Sequence, residues 1–136
     1  MNSRKTNLLN SRPIIASAIV TPHTSINERF QNQTLRPIIK LQNDLLIAVF
    51  RNYVQKYKNV FYELSTDNKM FYIENAIQKD MKFRNALKGM VIGQFTIEEY
   101  LIYIQNSSSL NKRMVNLVIE RLKDQIQLFE YKTMSN

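Results

Sequence analysis

Thr34-Leu35-Arg36-Pro37-Ile38-Ile39-Lys40-Leu41-Gln42-Asn43-Asp44-Leu45-Leu46-Ile47-Ala48-Val49-Phe50 is the stretch whose reading decides the fold. From Ile38 to Tyr57 the residues Ile38, Leu41, Leu45 and Ala48 mark one helical stripe. Ile39, Leu46, Val49, Phe50, Tyr53, Val54 and Tyr57 fill most of the remaining circumference. A helix apolar on nearly every side must be covered by other helices. The expected architecture is an all-α, single-domain bundle of about five helices around a central helix at about residues 37–57, with Leu41 and Leu45 at its stability centre.

Composition agrees with that class. With 136 residues the chain can bury roughly two-thirds of its unfolded surface in one domain, so no disulfide or metal is needed for folding. Only 2 glycines and 3 prolines occur, too few for a turn-rich β-sandwich. The absence of cysteine excludes thiolate nucleophiles, redox pairs and cysteine-based zinc sites. No run approaches the ~18 apolar residues of a membrane span. Arg4 and Lys5 precede the apolar run Pro13–Val20 in imitation of a signal peptide, but Arg12 abuts that run and proline and serine interrupt it. A cytoplasmic protein that engages no membrane is expected.

Outward from the central stretch, residues 1–24 are rich in Asn, Ser, Thr and Pro, carry Arg4, Lys5 and Arg12 without an acid, and show no helical period. They read as a flexible basic tail whose removal costs under about 1 kcal/mol. Residues 25–132 form the expected bundle domain. Ser25-Ile26-Asn27-Glu28 has capping-box spacing and opens a first short helix. Pro37 would clash with the carbonyl of Gln33, so a kink or break is expected at Gln33 to Arg36, with Thr34 as N-cap of the central helix. Ser65-Thr66-Asp67 starts a helix to about Lys79 with Met70, Ile73 and Ile77 inward, and Asp80 caps the next. There Phe83, Ala86, Leu87, Met90 and Val91 make a one-face stripe that Gly93 ends in left-handed conformation. Thr96-Ile97-Glu98-Glu99 is a second capping box with Phe95 and Tyr100 as its staple, and Ile97, Tyr100, Leu101 and Ile104 are expected inward. Leu110, Met114, Leu117, Val118, Leu122, Ile126 and Phe129 carry the last helix.

Few constellations invite chemistry. The lone His23 has no neighbouring carboxylate, and Glu98-Glu99 is explained by capping and the helix dipole. Asp44 lies on an apolar circumference, with Lys40 and Arg51 as candidate ion-pair partners. Gly89 inside a helix signals a close helix contact. No Gly-rich phosphate loop, nucleophile elbow, HExxH, EF-hand or dinucleotide fingerprint occurs. No catalytic, metal or cofactor residue is therefore assigned, and no cofactor is expected. The net charge is +8, and its densest segment is Lys79, Lys82, Arg84 and Lys88. Joined by Arg36 and Lys40, these form the candidate anion-binding set. The tyrosines, Tyr53 to Tyr131, sit mostly at core positions rather than as base-stacking platforms.

The run from Phe30 to Leu46 resembles a segment of small bacterial proteins that carry the label glyoxalase, and the resemblance continues through Leu87-Lys88-Gly89 and Phe95 to Tyr100. Glyoxalase I enzymes are paired βαβββ modules that hold a divalent metal with His and Glu ligands. With one histidine and no strand pattern here, the resemblance implies family membership and no site residues.

Three functions compete on this reading: a non-catalytic helical interaction module, a nucleic-acid or ribosome-associated basic protein, and a small enzyme of the glyoxalase label. The module leads, with a second copy of the chain, another protein or an anionic macromolecule as partner. Nucleic-acid binding predicts steep salt dependence, the enzyme predicts metal-dependent turnover, and the module predicts neither.

Overall fold

The computed structural model describes residues 3–15 and 24–129. The all-α expectation holds: the described residues are 84% helical, with no strand among them. The chain runs through α1 (Ser3–Ser11), α2 (Ile26–Phe30), a π-helical turn (Gln31–Leu35), α3 (Arg36–Leu41) and α4 (Asn43–Lys56). A short 3₁₀ turn (Val60–Glu63) then leads to α5 (Thr66–Lys79), α6 (Met81–Ile92), α7 (Ile97–Gln105) and α8 (Ser107–Asp124). His23, Tyr131 and the last residues of the expected domain, 130–132, lie outside the described residues.

The sequence starts these helices where the capping rule puts them. Ser25, Ser65, Asp80 and Thr96 each accept a hydrogen bond from the backbone N–H three residues on, satisfying one orphan donor of α2, α5, α6 and α7. At Thr96 the box is complete, because the Glu99 carboxylate accepts in return from the Thr96 N–H.

The hub of the bundle is α8 rather than the 37–57 segment. It packs against α3, α4, α5, α6, α7 and the π turn, and it buries Leu110, Met114, Leu117, Val118, Ile119 and Leu122. The central segment is not one helix, since the backbone departs from helical geometry at Gln42 (φ −85°, ψ 4°) between α3 and α4. Its apolar circumference also outnumbers its cover. Leu46, Ile47, Phe50 and Val54 face inward, whereas Leu45 is 51% exposed and Leu41 and Ala48 also face solvent. The Leu41–Leu45 stability centre is thus replaced by a neighbouring stripe. Phe50 anchors it, with ring centroids 5.2 Å from both Phe61 and Phe129, and Tyr72 and Phe83 complete the cluster.

Three local expectations are corrected. Pro37 produces no break: the π turn inserts its wider spacing just before α3, so the helical path continues past a residue that lacks an N–H. Thr34 is not an N-cap. It is buried inside that turn and donates its hydroxyl to Glu99 Oε2 at 3.0 Å. Gly93 is right-handed (φ −60°, ψ −17°), and the left-handed helix end occurs instead at Lys58 and Asn59 after α4. There the Asn59 N–H donates to the Val54 carbonyl and the Lys58 N–H to the Gln55 carbonyl, the paired bonds of a Schellman motif.

Residues 3–11 form a helix where no helical period is legible. None of its residues is buried, so polar tethers hold it. Arg4 donates to the Gly93 carbonyl and Lys5 pairs with Glu98 at 3.2 Å. Just beyond it, Arg12 pairs with Glu99 and donates to the Gln94 carbonyl.

Candidate functional site

A groove of about 850 Å³ lies between the end of α4, α5 and the start of α6. Tyr53 comes from the last turns of α4 and Tyr57 from just after it, Phe71, Tyr72 and Ala76 from α5, and Met81 and Lys82 from the first turn of α6. The α5–α6 corner explains the shape. Asp80, extended at φ −89°, ψ 99°, ends α5 and caps α6, which sets the first turn of α6 beside the groove.

Aromatic packing fixes the floor. Tyr53 stacks on Phe83 with centroids 4.0 Å apart and lies 4.7 Å from Tyr57. Its hydroxyl donates to Asp80 Oδ2 at 3.1 Å, while Asp80 Oδ1 accepts from the Phe83 N–H. These contacts push the two groups apart in acidity. Burial, then the Asp80 hydrogen bond and charge, hold the Tyr53 phenol well above its usual range. The Phe83 N–H, then the Tyr53 hydroxyl, hold Asp80 below the usual carboxylate range. Both shifts move the groups away from neutrality, whereas general acid–base work is favoured by a pKa near the operating pH. The groove is lined mainly by aromatic and aliphatic side chains, with Asn68, Asn75, Lys79 and Lys82 as polar points on its wall.

Phe71 and Met81 flank the groove and are each 64% exposed. The sequence reading missed both as site residues. The signal for Phe71 was its position off the Met70, Ile73, Ile77 stripe, an aromatic that the core of its own helix does not use.

The six candidate anion-binding residues do not share a face. Lys79 and Lys82 line the groove, Arg36 and Lys40 line a small depression of about 240 Å³ against α8, and Arg84 and Lys88 line a third cavity. In the first, Asp80 accompanies the cations, and in the second Glu120 and Asp124 do. Gly89 makes no close helix contact: a Cβ built on it meets nothing within 4 Å. Asp44 is exposed and meets the Asn43 side chain rather than Lys40 or Arg51. Arg51 instead donates to the Leu128 carbonyl and lies over the Phe129 ring.

Further corrections concern α7. Of its residues only Tyr103 is buried, packed against Phe95. Ile97, Tyr100, Leu101 and Ile104, expected inward, are exposed, while α7 packs against α8 and is tied through Glu98 and Glu99 to Lys5, Arg12 and Thr34. Tyr100 approaches Tyr103, and the buried Phe95 packs edge-on to Phe30.

Among the described residues, no three His, Asp or Glu side chains gather where they could hold a metal, and no helix is long and apolar enough to cross a membrane. Comparison of the chain with known protein families, with curated proteins and with solved structures finds no match in any of the three. The glyoxalase resemblance brings no residue to the site.

Proposed function

We propose that the chain is a non-catalytic helical interaction module whose α4–α5–α6 groove receives an apolar, acidic segment of a partner protein. The observation that carries this reading is the exposed pair Phe71 and Met81 beside an aromatic trough of about 850 Å³. Exposed aromatic and methionine side chains next to a preformed hollow suit helix-in-groove recognition. The polarity of the partner follows from the wall. Lys79 and Lys82 are cationic, and both oxygens of Asp80 are already engaged. The nucleic-acid alternative is carried less far, since its six cations are divided among three hollows.

The test uses two amphipathic helical peptides with one apolar face in common and either acidic or basic residues opposite. Fluorescence anisotropy should show saturable binding of the acidic peptide, weak binding of the basic one, and loss of the former in Phe71→Ser and Met81→Ser. Binding that both substitutions leave intact would place the interface elsewhere.

A second reading rests on α7. Ile97, Leu101 and Ile104 are exposed at helical spacing on a helix without a lysine or arginine. An uncharged apolar stripe is compatible with its own copy, while the +8 charge opposes other approaches between copies. Sedimentation of the parent chain against Leu101→Lys decides between a dimer through this face and a monomer.

A further inference from the structure

The third cavity lies on the α6–α8 side, apart from the groove. Arg84 and Lys88 stand one turn apart on α6, and Lys112 joins them from α8 around a hollow of about 390 Å³. No carboxylate lines it. None of the three cations pairs with an acid among the described residues. That sets this cavity apart from the other two basic hollows, each of which contains its own acid.

Its uncharged members reinforce the imbalance. Arg84 Nη1 donates to the Gln78 carbonyl at 2.5 Å, which seats the guanidinium at the wall and leaves its remaining N–H groups for another acceptor. Asn111 Oδ1 accepts from the Tyr103 hydroxyl at 2.6 Å, so the amide's NH₂ is its open function. Asn116 adds a second carboxamide. Three like charges around one concavity repel each other, and an anion of two or more charges relieves the repulsion that a monocarboxylate leaves largely in place. Guanidinium and ammonium donors together match the several oxygens of a phosphoryl group.

We propose that this cavity binds a phosphate-bearing small molecule through its phosphate or diphosphate group. The volume falls within the range of small-molecule sites and exceeds what a bare phosphate fills, and Val115 supplies an apolar patch for the organic part. The site is independent of the groove, whose lining includes none of these residues.

Isothermal titration of the full chain with inorganic pyrophosphate, phosphate and acetate tests this. Pyrophosphate should bind at one site, phosphate more weakly and acetate without detectable heat. Arg84→Gln with Lys88→Gln should weaken pyrophosphate by about tenfold or more, the scale of lost charge-assisted hydrogen bonds. Lys112→Gln, on a different helix, should also weaken it, which keeps the test intact if the α6 variant folds poorly. Lys79→Gln with Lys82→Gln should leave it unchanged. Absent pyrophosphate binding, or equal weakening by the Lys79 and Lys82 pair, overturns the assignment. So does a single-stranded RNA that binds while pyrophosphate does not displace it, which would make this a polynucleotide surface.

Discussion

Arg12 and Glu99, 87 positions apart, form a two-pronged ion pair, with each terminal guanidinium nitrogen 2.7 Å from a different carboxylate oxygen. The Arg12 and Glu99 side chains are only 7% and 15% exposed, so solvent does little to screen the pair. It ties the segment after α1 to the first turn of α7. Glu99→Gln preserves the shape needed for the capping box but leaves Arg12 buried without its counter-charge. Chemical denaturation should show a loss of roughly 1.5–3 kcal/mol, the scale of hydrogen bonds to charged groups. Removing residues 1–22 should destabilise comparably, rather than by the under about 1 kcal/mol of a free polar tail. Equal midpoints for parent and truncation would show that the first helix contributes no stability.

Acid should release the same tie. Burial alone would raise the Glu99 pKa, but hydrogen bonds from Arg12, the Thr96 N–H and Thr34, with the Arg12 charge, outweigh it and leave the carboxyl below its ordinary 4.5. A depressed carboxylate contributes stability that is complete above its unfolded pKa and is lost as pH falls through the folded one. Denaturation midpoints should therefore hold steady near neutrality and decline below about pH 4.5. Glu99→Gln should show a shallower decline, although not a flat one, because Asp80 is also depressed. Identical pH profiles would remove Glu99 from the account.

Neighbouring leucines on α4 should behave differently. Leu46 is fully buried and Leu45 half exposed, so Leu46→Ala should cost about 2–5 kcal/mol and Leu45→Ala within about 0.5 kcal/mol of nothing. Phe50→Ala, at the centre of the aromatic cluster, should cost about 3–5 kcal/mol and leave little of an ordinary domain's margin. Thermal melts that rank Leu45 above Leu46 would contradict the packing.

Two backbone positions look exchanged. Gly89 sits inside α6 with open space where a methyl group would go, while Lys58 holds a φ of 63° that glycine adopts without strain. Gly89→Ala should stabilise by about 0.5–1 kcal/mol, and Lys58→Gly by up to about 1 kcal/mol. The two sites share no contact, so the double variant should show additive gains in urea midpoint.

The sequence was most legible where one face of a helix is covered and the other is wet. On α8, Leu110, Met114, Leu117, Val118 and Leu122 keep a regular inward spacing, and all are buried, as are Ile126 and Phe129 just beyond it. The caps at Asp80 and Thr96 are local chemistry and read directly. Periodicity failed on α4 and α7 for a shared reason. Where a helix is apolar on several faces, the choice of covered face depends on where the other helices lie, so Leu46 displaced Leu45 and Tyr103 displaced Leu101. The first helix left no trace because its tethers to Gly93, Gln94, Glu98 and Glu99 are polar and span more than eighty positions. The candidate groove was legible only in its odd residue, Phe71. The trough is lined by residues of α4, α5 and α6 together, which no single stripe records.

Because α8 follows α3 to α6 in the chain, the surface that covers their inward faces is made after them. At about 5–20 residues per second, α3 to α6 are synthesised before α8, and their inward faces lack that cover in the interval. Phe50 then lacks Phe129, and α5 and α6 lack α8. The faces that α3 to α6 turn towards α8 therefore stay uncovered until residues 107–129 have been made.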